Sequence, residues 1–149
     1  MHYIYDFFQN SILWTAILSW FVAQVLKVIF VFIWDRKLDF KRLIGSGGMP
    51  SSHSSFVVAL AFSVGFVEGF QSTAFAISFA IAMVIMYDAS GVRRAAGQQA
   101  RLLNRMVEEW GKGDFSRTEK KLKELLGHTP IEVFAGALLG VMIAVIRYL

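Results

Sequence analysis

Residues 12–34 form a 23-residue stretch that is apolar apart from a few small or polar side chains. A helix of that length covers the ~30 Å hydrocarbon core of a bilayer. This stretch places the chain among membrane proteins, and the composition agrees: 56% of residues are hydrophobic and 17% charged, with a mean hydropathy of +0.53. Asp6, not a basic segment, precedes the stretch, and no small-residue cleavage site follows it. It therefore reads as a retained anchor and not as a signal peptide. With 149 residues the chain is expected to be one domain, residues 1–149, and the absence of Cys excludes disulfide and thiol chemistry.

Three more apolar runs follow, at residues 56–67, 74–87 and 131–149. The segment Glu68-Gly69-Phe70-Gln71-Ser72 joins the first two tightly, which predicts an antiparallel helix pair. Both are short against the ~20 residues of a full span, so one or both are expected to be partly buried in protein. Gly136 and Gly140, four residues apart on the last run, allow close helix approach, within the bundle or at a dimer seam. Residues 90–110 read as an amphipathic helix. Arg94, Gln98, Arg101 and Arg105 share one face, and Leu102, Met106 and Trp110 line another. A loop at residues 111–115 precedes Ser116-Arg117-Thr118-Glu119, a capping box that opens a short helix ending at Leu126. The expected fold is thus an all-α integral membrane bundle. It has about four membrane-embedded helices, an amphipathic cytoplasmic helix and one short helix.

Charge sets the expected orientation. Of 15 Lys and Arg residues, 13 lie in residues 35–53 and 88–129, whereas Asp6, Glu68 and Arg147 mark the other side. The positive-inside rule makes the two basic segments cytoplasmic and leaves both termini outside. This asymmetry accounts for the isoelectric point of 9.6, so nucleic acid is not an expected partner. The bilayer is, and homo-oligomerisation is left open.

Two motifs carry the chemistry. Gly47-Gly48-Met49-Pro50-Ser51-Ser52-His53-Ser54-Ser55 combines a Gly-rich turn with Pro, hydroxyls and His just before an apolar run. Pro50 suits the first helical position, and the helix start would present free N–H groups, a positive dipole end and an imidazole to a phosphate. Gly127-His128-Thr129-Pro130-Ile131-Glu132 places a second His before a second helix start. There Gly127 suits the C′ position of a preceding helix. Thr129 reads as N-cap, Pro130 as N1 and Glu132 as N3 of a capping box, which by itself gives Glu132 a complete structural role. The predicted topology brings His53, Asp88, Arg93, Arg94 and His128 to one membrane face. Lys27 and Gln24 are polar residues inside the first span, three apart and so on one face. Lys27 reads either as a functional intramembrane cation or as a side chain snorkelling to the interface near Trp34. Asp88 has three readings: orienting Arg93 or Arg94, binding a metal, or facing water, the first being preferred. His2 reads as a terminal surface residue.

Pro50-Ser51-Ser52-His53 resembles the Pro-Ser-Gly-His motif of the type 2 phosphatidic acid phosphatase and vanadium haloperoxidase superfamily. His128-x-Pro130-x-Glu132 with Gly136-Ala137-Leu138-Leu139-Gly140 resembles its last motif, His-x-Pro-x-Asp followed by Gly-Ala-Leu-Leu-Gly. Over its full length, including Met86-Tyr87-Asp88-Ala89-Ser90-Gly91-Val92-Arg93-Arg94, the chain is most similar to a small divergent branch of bacterial and plastid membrane proteins. The resemblance implies hydrolysis of a phosphomonoester lipid, such as phosphatidylglycerol phosphate, phosphatidate or a polyprenyl phosphate, at the bacterial cytoplasmic membrane. It implies His128 as nucleophile, Glu132 as its orienting acid and His53 as general acid. Ser51, Ser52, Arg93 and Arg94 would lie at the phosphate. Neither cofactor nor metal is implied. The chain departs from the superfamily in lacking Lys-x6-Arg-Pro, for which Lys27 and Arg36 are the favoured substitutes among Lys27, Arg36, Lys37, Lys41 and Arg42. It also carries Ser52 for Gly and Glu132 for Asp, and Arg94 stands 34 residues ahead of His128. The alternative function is a non-catalytic binder or transporter of a phosphorylated lipid.

Overall fold

The computed structural model describes residues 2–35, 48–110 and 127–149. These form six helices: α1 (His2–Phe8), α2 (Ser11–Asp35), α3 (Ser52–Glu68), α4 (Thr73–Ser90), α5 (Val92–Trp110) and α6 (Pro130–Tyr148). Three stretches are long and apolar enough to cross a membrane, Ser11–Ile33, Thr73–Met106 and Pro130–Tyr148, and Ser52–Glu68 is a shorter apolar helix. The protein is a membrane helix bundle, as its composition requires. The short helix expected at residues 116–126, the loop before it, and Arg36, Lys37, Lys41 and Arg42 lie outside the described residues.

Helix α3 is the centre, packed against α2, α4 and α6. Its 17 residues include nine buried ones, whereas the 18 of α4 include only Ala82 and Ala89. The short length of α3 is therefore resolved by enclosure in protein, and α4 keeps one wall open. Val57, Val58, Ala61 and Ala82 form the buried core between them, with Phe56, Phe62, Ile85, Met86, Ala137 and Val141 packed around it. The α3–α4 connection turns at Gly69, with φ +92°, and Ser72 caps α4 by accepting from the Phe75 N–H.

Gly136 and Gly140 set the α3–α6 contact. A Cβ at Gly136 would collide with the Ser51 carbonyl, and one at Gly140 would sit 2.5 Å from the Ser55 carbonyl oxygen. The pairing of Gly136 with Ser51 and Gly140 with Ser55 makes α3 and α6 parallel, so both start at the same end of the bundle. The Ser51 N–H donates to the Glu132 carbonyl at 2.9 Å, so α6 begins more than a turn ahead of α3. Helix α2 runs the other way. Thr15 meets Tyr148 Oη, Ser19 meets Ser55, and Lys27 meets Ser52.

Two helix starts differ from expectation. Pro50 lies one residue before the N-cap of α3, not at N1, because Ser51 supplies the capping oxygen to the Ser54 N–H, which Met49 could not. The helix thus begins four residues before the apolar run at Phe56. Helix α1, of seven exposed residues, was not foreseen, and His2 is exposed on it. The predicted capping box of α6 is present in full, with Pro130 at its start.

Candidate active site

The Thr129 hydroxyl accepts from the Glu132 N–H, and Glu132 Oε2 accepts from the Thr129 N–H at 2.9 Å. The same Oε2 lies 3.2 Å from His128 Nδ1. An ionised carboxylate only accepts, so this contact places the imidazole proton on Nδ1 and leaves the Nε2 lone pair for chemistry. Capping and orienting, which looked like rival roles for Glu132, are thus carried by one oxygen atom. His128 itself is only 4% exposed, and its backbone N–H donates to the Ala89 carbonyl at the end of α4. The residue is held from two directions, its ring by Glu132 of α6 and its backbone by the end of α4.

Lys27 is the other buried charge. It is 1% exposed, its Nζ donates to Ser52 Oγ at 3.1 Å, and Glu132 lies close enough to act on its charge. The snorkelling alternative does not describe this side chain: it points into the bundle at the shared start of α3 and α6. Gln24, one turn earlier on α2, is also buried. Ser51 and Ser52 are fully buried, but they act differently. The Ser51 oxygen caps its own helix and accepts from the Ser54 hydroxyl at 3.0 Å, while Ser52 receives the lysine.

His53 directly follows Ser52 in the first turn of α3. It is exposed, and it borders a cavity of about 420 Å³ lined by Ile17, Trp20, Phe56, Val57 and Ile85. Asp88 is half-buried beside Ala89, and Arg93 and Arg94 fall in the first turn of α5. The structure therefore joins Lys27 to Ser52 and His128 to Glu132 at one end of the bundle, where His53 lies in the first turn of α3 and borders the cavity. Among the described residues, no group of three His, Cys, Asp or Glu side chains is arranged to hold a metal ion.

The sequence reading missed a polar row behind the site. Ser19 Oγ and Ser55 Oγ lie 2.6 Å apart, both buried, and Tyr148 Oη donates to Ser11 Oγ. The signal was available: Ser11, Thr15, Ser19, Ala23 and Lys27 recur every four residues on one face of α2. Small hydroxyls on that row let α2 approach α3 closely and satisfy their hydrogen bonds inside the bundle.

A Bacillus subtilis protein named "Uncharacterized membrane protein YuiD" is 42% identical over 151 residues, covering 95% of this chain and 96% of that protein. No solved structure matches the chain. The family model described as "Divergent PAP2 family" matches residues 8–143, nearly the whole of the bundle and both His motifs, and the chain belongs to that family.

Proposed function

We propose that the protein is a membrane lipid phosphatase that hydrolyses a phosphomonoester lipid through a phosphohistidine at His128. The observation that carries this reading is the contact between His128 Nδ1 and Glu132 Oε2, next to the buried Lys27. A neutral imidazole whose Nδ1–H is held by a carboxylate is a nucleophile with its lone pair on Nε2. In the first step the Nε2–phosphorus bond forms and the bond from phosphorus to the lipid oxygen breaks. His53 gives its proton to that leaving oxygen. Water then cleaves the phosphohistidine, with His53 as base, and inorganic phosphate departs. Glu132 stabilises the imidazolium that forms in between.

Charge on the phosphoryl oxygens needs fixed donors. Lys27 and Ser52, which are joined by a hydrogen bond, are assigned to one side. Arg36, Arg93 and Arg94 are assigned to the remaining oxygens, and Asp88 to orienting an arginine. A lysine buried in a membrane bundle is costly; Glu132 offsets part of that cost, and a bound phosphate would offset more. The basic segments put this end in the cytoplasm, so the substrate belongs to the inner leaflet of the cytoplasmic membrane. Its head group is of the phosphatidylglycerol phosphate, phosphatidate or polyprenyl phosphate class.

The second reading is a binder or transporter of the same lipids without turnover. The exposure of His53 beside an apolar cavity favours it, because a general acid must reach the leaving oxygen. Purified protein reconstituted with a panel of lipid phosphates separates the two: free phosphate supports hydrolysis, whereas saturable binding or flipping without release supports the binder. Cys at position 114, in a chain with no other Cys, tests orientation. Labelling from outside intact cells would reverse it.

A further inference from the structure

The cavity beside His53 has walls of one kind. Ile17 and Trp20, three residues apart on α2, face His53, Phe56 and Val57 on α3, and Ile85 on α4 closes the group. Apart from the imidazole and the Trp20 indole N–H, these are hydrocarbon or aromatic surfaces. His53 stands in the first turn of α3, and Phe56 and Val57 stand one turn deeper. The cavity therefore runs from the helix end that carries Lys27, Glu132 and His128 down toward the middle of the bundle. Trp20 is 39% exposed at its edge, and on the outer faces of α2 and α4 Phe21, Ile81 and Val84 are exposed to the surroundings of the bundle.

For a bundle that spans a bilayer, those surroundings are lipid chains. Water gains little in such a groove, since a buried water needs two to four polar partners and the lining side chains offer only the His53 imidazole and the Trp20 indole N–H. A dry cavity of about 150 Å³ holds one benzene ring. The ~420 Å³ here therefore has room for roughly three six-carbon pieces, on the order of 18 carbons, which is one chain and not two.

We propose that this groove between α2 and α4 holds a single hydrocarbon chain of the phosphorylated lipid, with the phosphate end at His53. The inference rests on the lipid-phosphatase reading and sharpens it by giving His53 a reason to border an apolar cavity. The imidazole sits where a chain meets its head group, and the chain, lying along Phe56 and Val57, delivers the leaving oxygen to it. A second chain, if the lipid has one, stays in the bilayer. Ile17 and Ile85, on opposite walls, then set the accepted chain.

The test reads binding, not turnover. Trp14, Trp34 and Trp110 are replaced by Phe so that Trp20 is the remaining tryptophan. The protein is placed in phosphatidylcholine vesicles containing chain-brominated phosphonate analogues of phosphatidate or of a polyprenyl phosphate, with chain-brominated phosphatidylcholine as reference. The expected result is Trp20 quenching by at least one analogue that saturates, and that exceeds the reference at equal mole fraction. The saturable part should be lost in Ile85→Phe. Should that variant fail to fold, Ile17→Phe carries the same prediction from the other wall. Saturation by the phosphatidate analogue identifies a diacyl source and by the polyprenyl analogue an isoprenoid one, and either supports the groove. Quenching no greater than the reference with both analogues, or saturable quenching that survives in both variants, overturns it. Free phosphate from the natural lipids is measured alongside. Release without selective quenching removes the groove and leaves the hydrolysis; selective quenching without release does the reverse.

Discussion

The starts of α3 and α6 look alike in sequence and do different work. Each has a Pro, a hydroxyl N-cap and a His within two residues of the cap. At α6 the cap is reciprocal, the His is buried, and the capping carboxylate holds the ring. At α3 the serines are buried against α2 and α6, and the His is turned outward to an apolar cavity. The difference comes from what surrounds each helix. Helix α3 is enclosed on three sides, so its first turn is spent on packing and on receiving Lys27. Helix α6 projects more than a turn further, which leaves room for a carboxylate–imidazole pair. One start carries a carboxylate–imidazole pair, and the other receives a lysine on one side and borders an apolar cavity on the other.

The largest effect should follow from joining the two starts badly. Gly136→Leu puts a side chain where the Ser51 carbonyl already is, and the backbone of α3 cannot move aside. We expect loss of folded, monodisperse protein, and even Gly136→Ala should cost about 3 kcal/mol in reversible unfolding. A well-folded Gly136→Leu would mean that the two starts are not in contact.

Next come the histidines. His128→Ala should remove phosphate release, by on the order of 10³-fold or more, with the fold intact. His53→Ala should do the same, and the double variant should be little worse than either, since both act in one displacement. If turnover is lost in His128→Ala but kept in His53→Ala, the start of α3 is a packing and binding element alone. Glu132→Gln separates the two jobs of one oxygen. Gln still completes a capping box, so the unfolding midpoint should hold. Turnover should fall by roughly 10²–10⁴-fold, as when an orienting carboxylate loses its charge. Wild-type turnover would return Glu132 to a cap.

The smallest effect concerns Lys27→Met. Methionine has similar length and removes a buried charge, so stability should stay level or rise by about 1 kcal/mol. Lipid-phosphate affinity should fall by roughly 10- to 100-fold, the worth of a charged hydrogen bond. A destabilised variant with unchanged affinity would make Lys27 a structural residue.

These regions also differ in how far the sequence revealed them. The apolar runs, the tight turn at Gly69, the capping box and the Gly136–Gly140 contact follow from local patterns, because spacing alone fixes which face a residue takes. The His128–Glu132 pair was legible only through the resemblance of His128-x-Pro130-x-Glu132 to a family motif, since spacing alone gave Glu132 no more than a cap. The burial of Ser51 and Ser52, and the outward turn of His53, depend on which helices enclose α3, and no local spacing carries that. Lys27 read two ways until its partner Ser52, 25 residues away, was placed beside it.

The central claim is that His128 becomes covalently phosphorylated. Purified protein mixed with a lipid carrying a radiolabelled phosphate, quenched in the first turnover and digested under alkaline conditions, tests it directly. The account predicts an acid-labile, alkali-stable label on the peptide containing His128, absent from His128→Ala. Phosphate released at full rate with no label on that peptide, and with His128→Ala equally active, would contradict it.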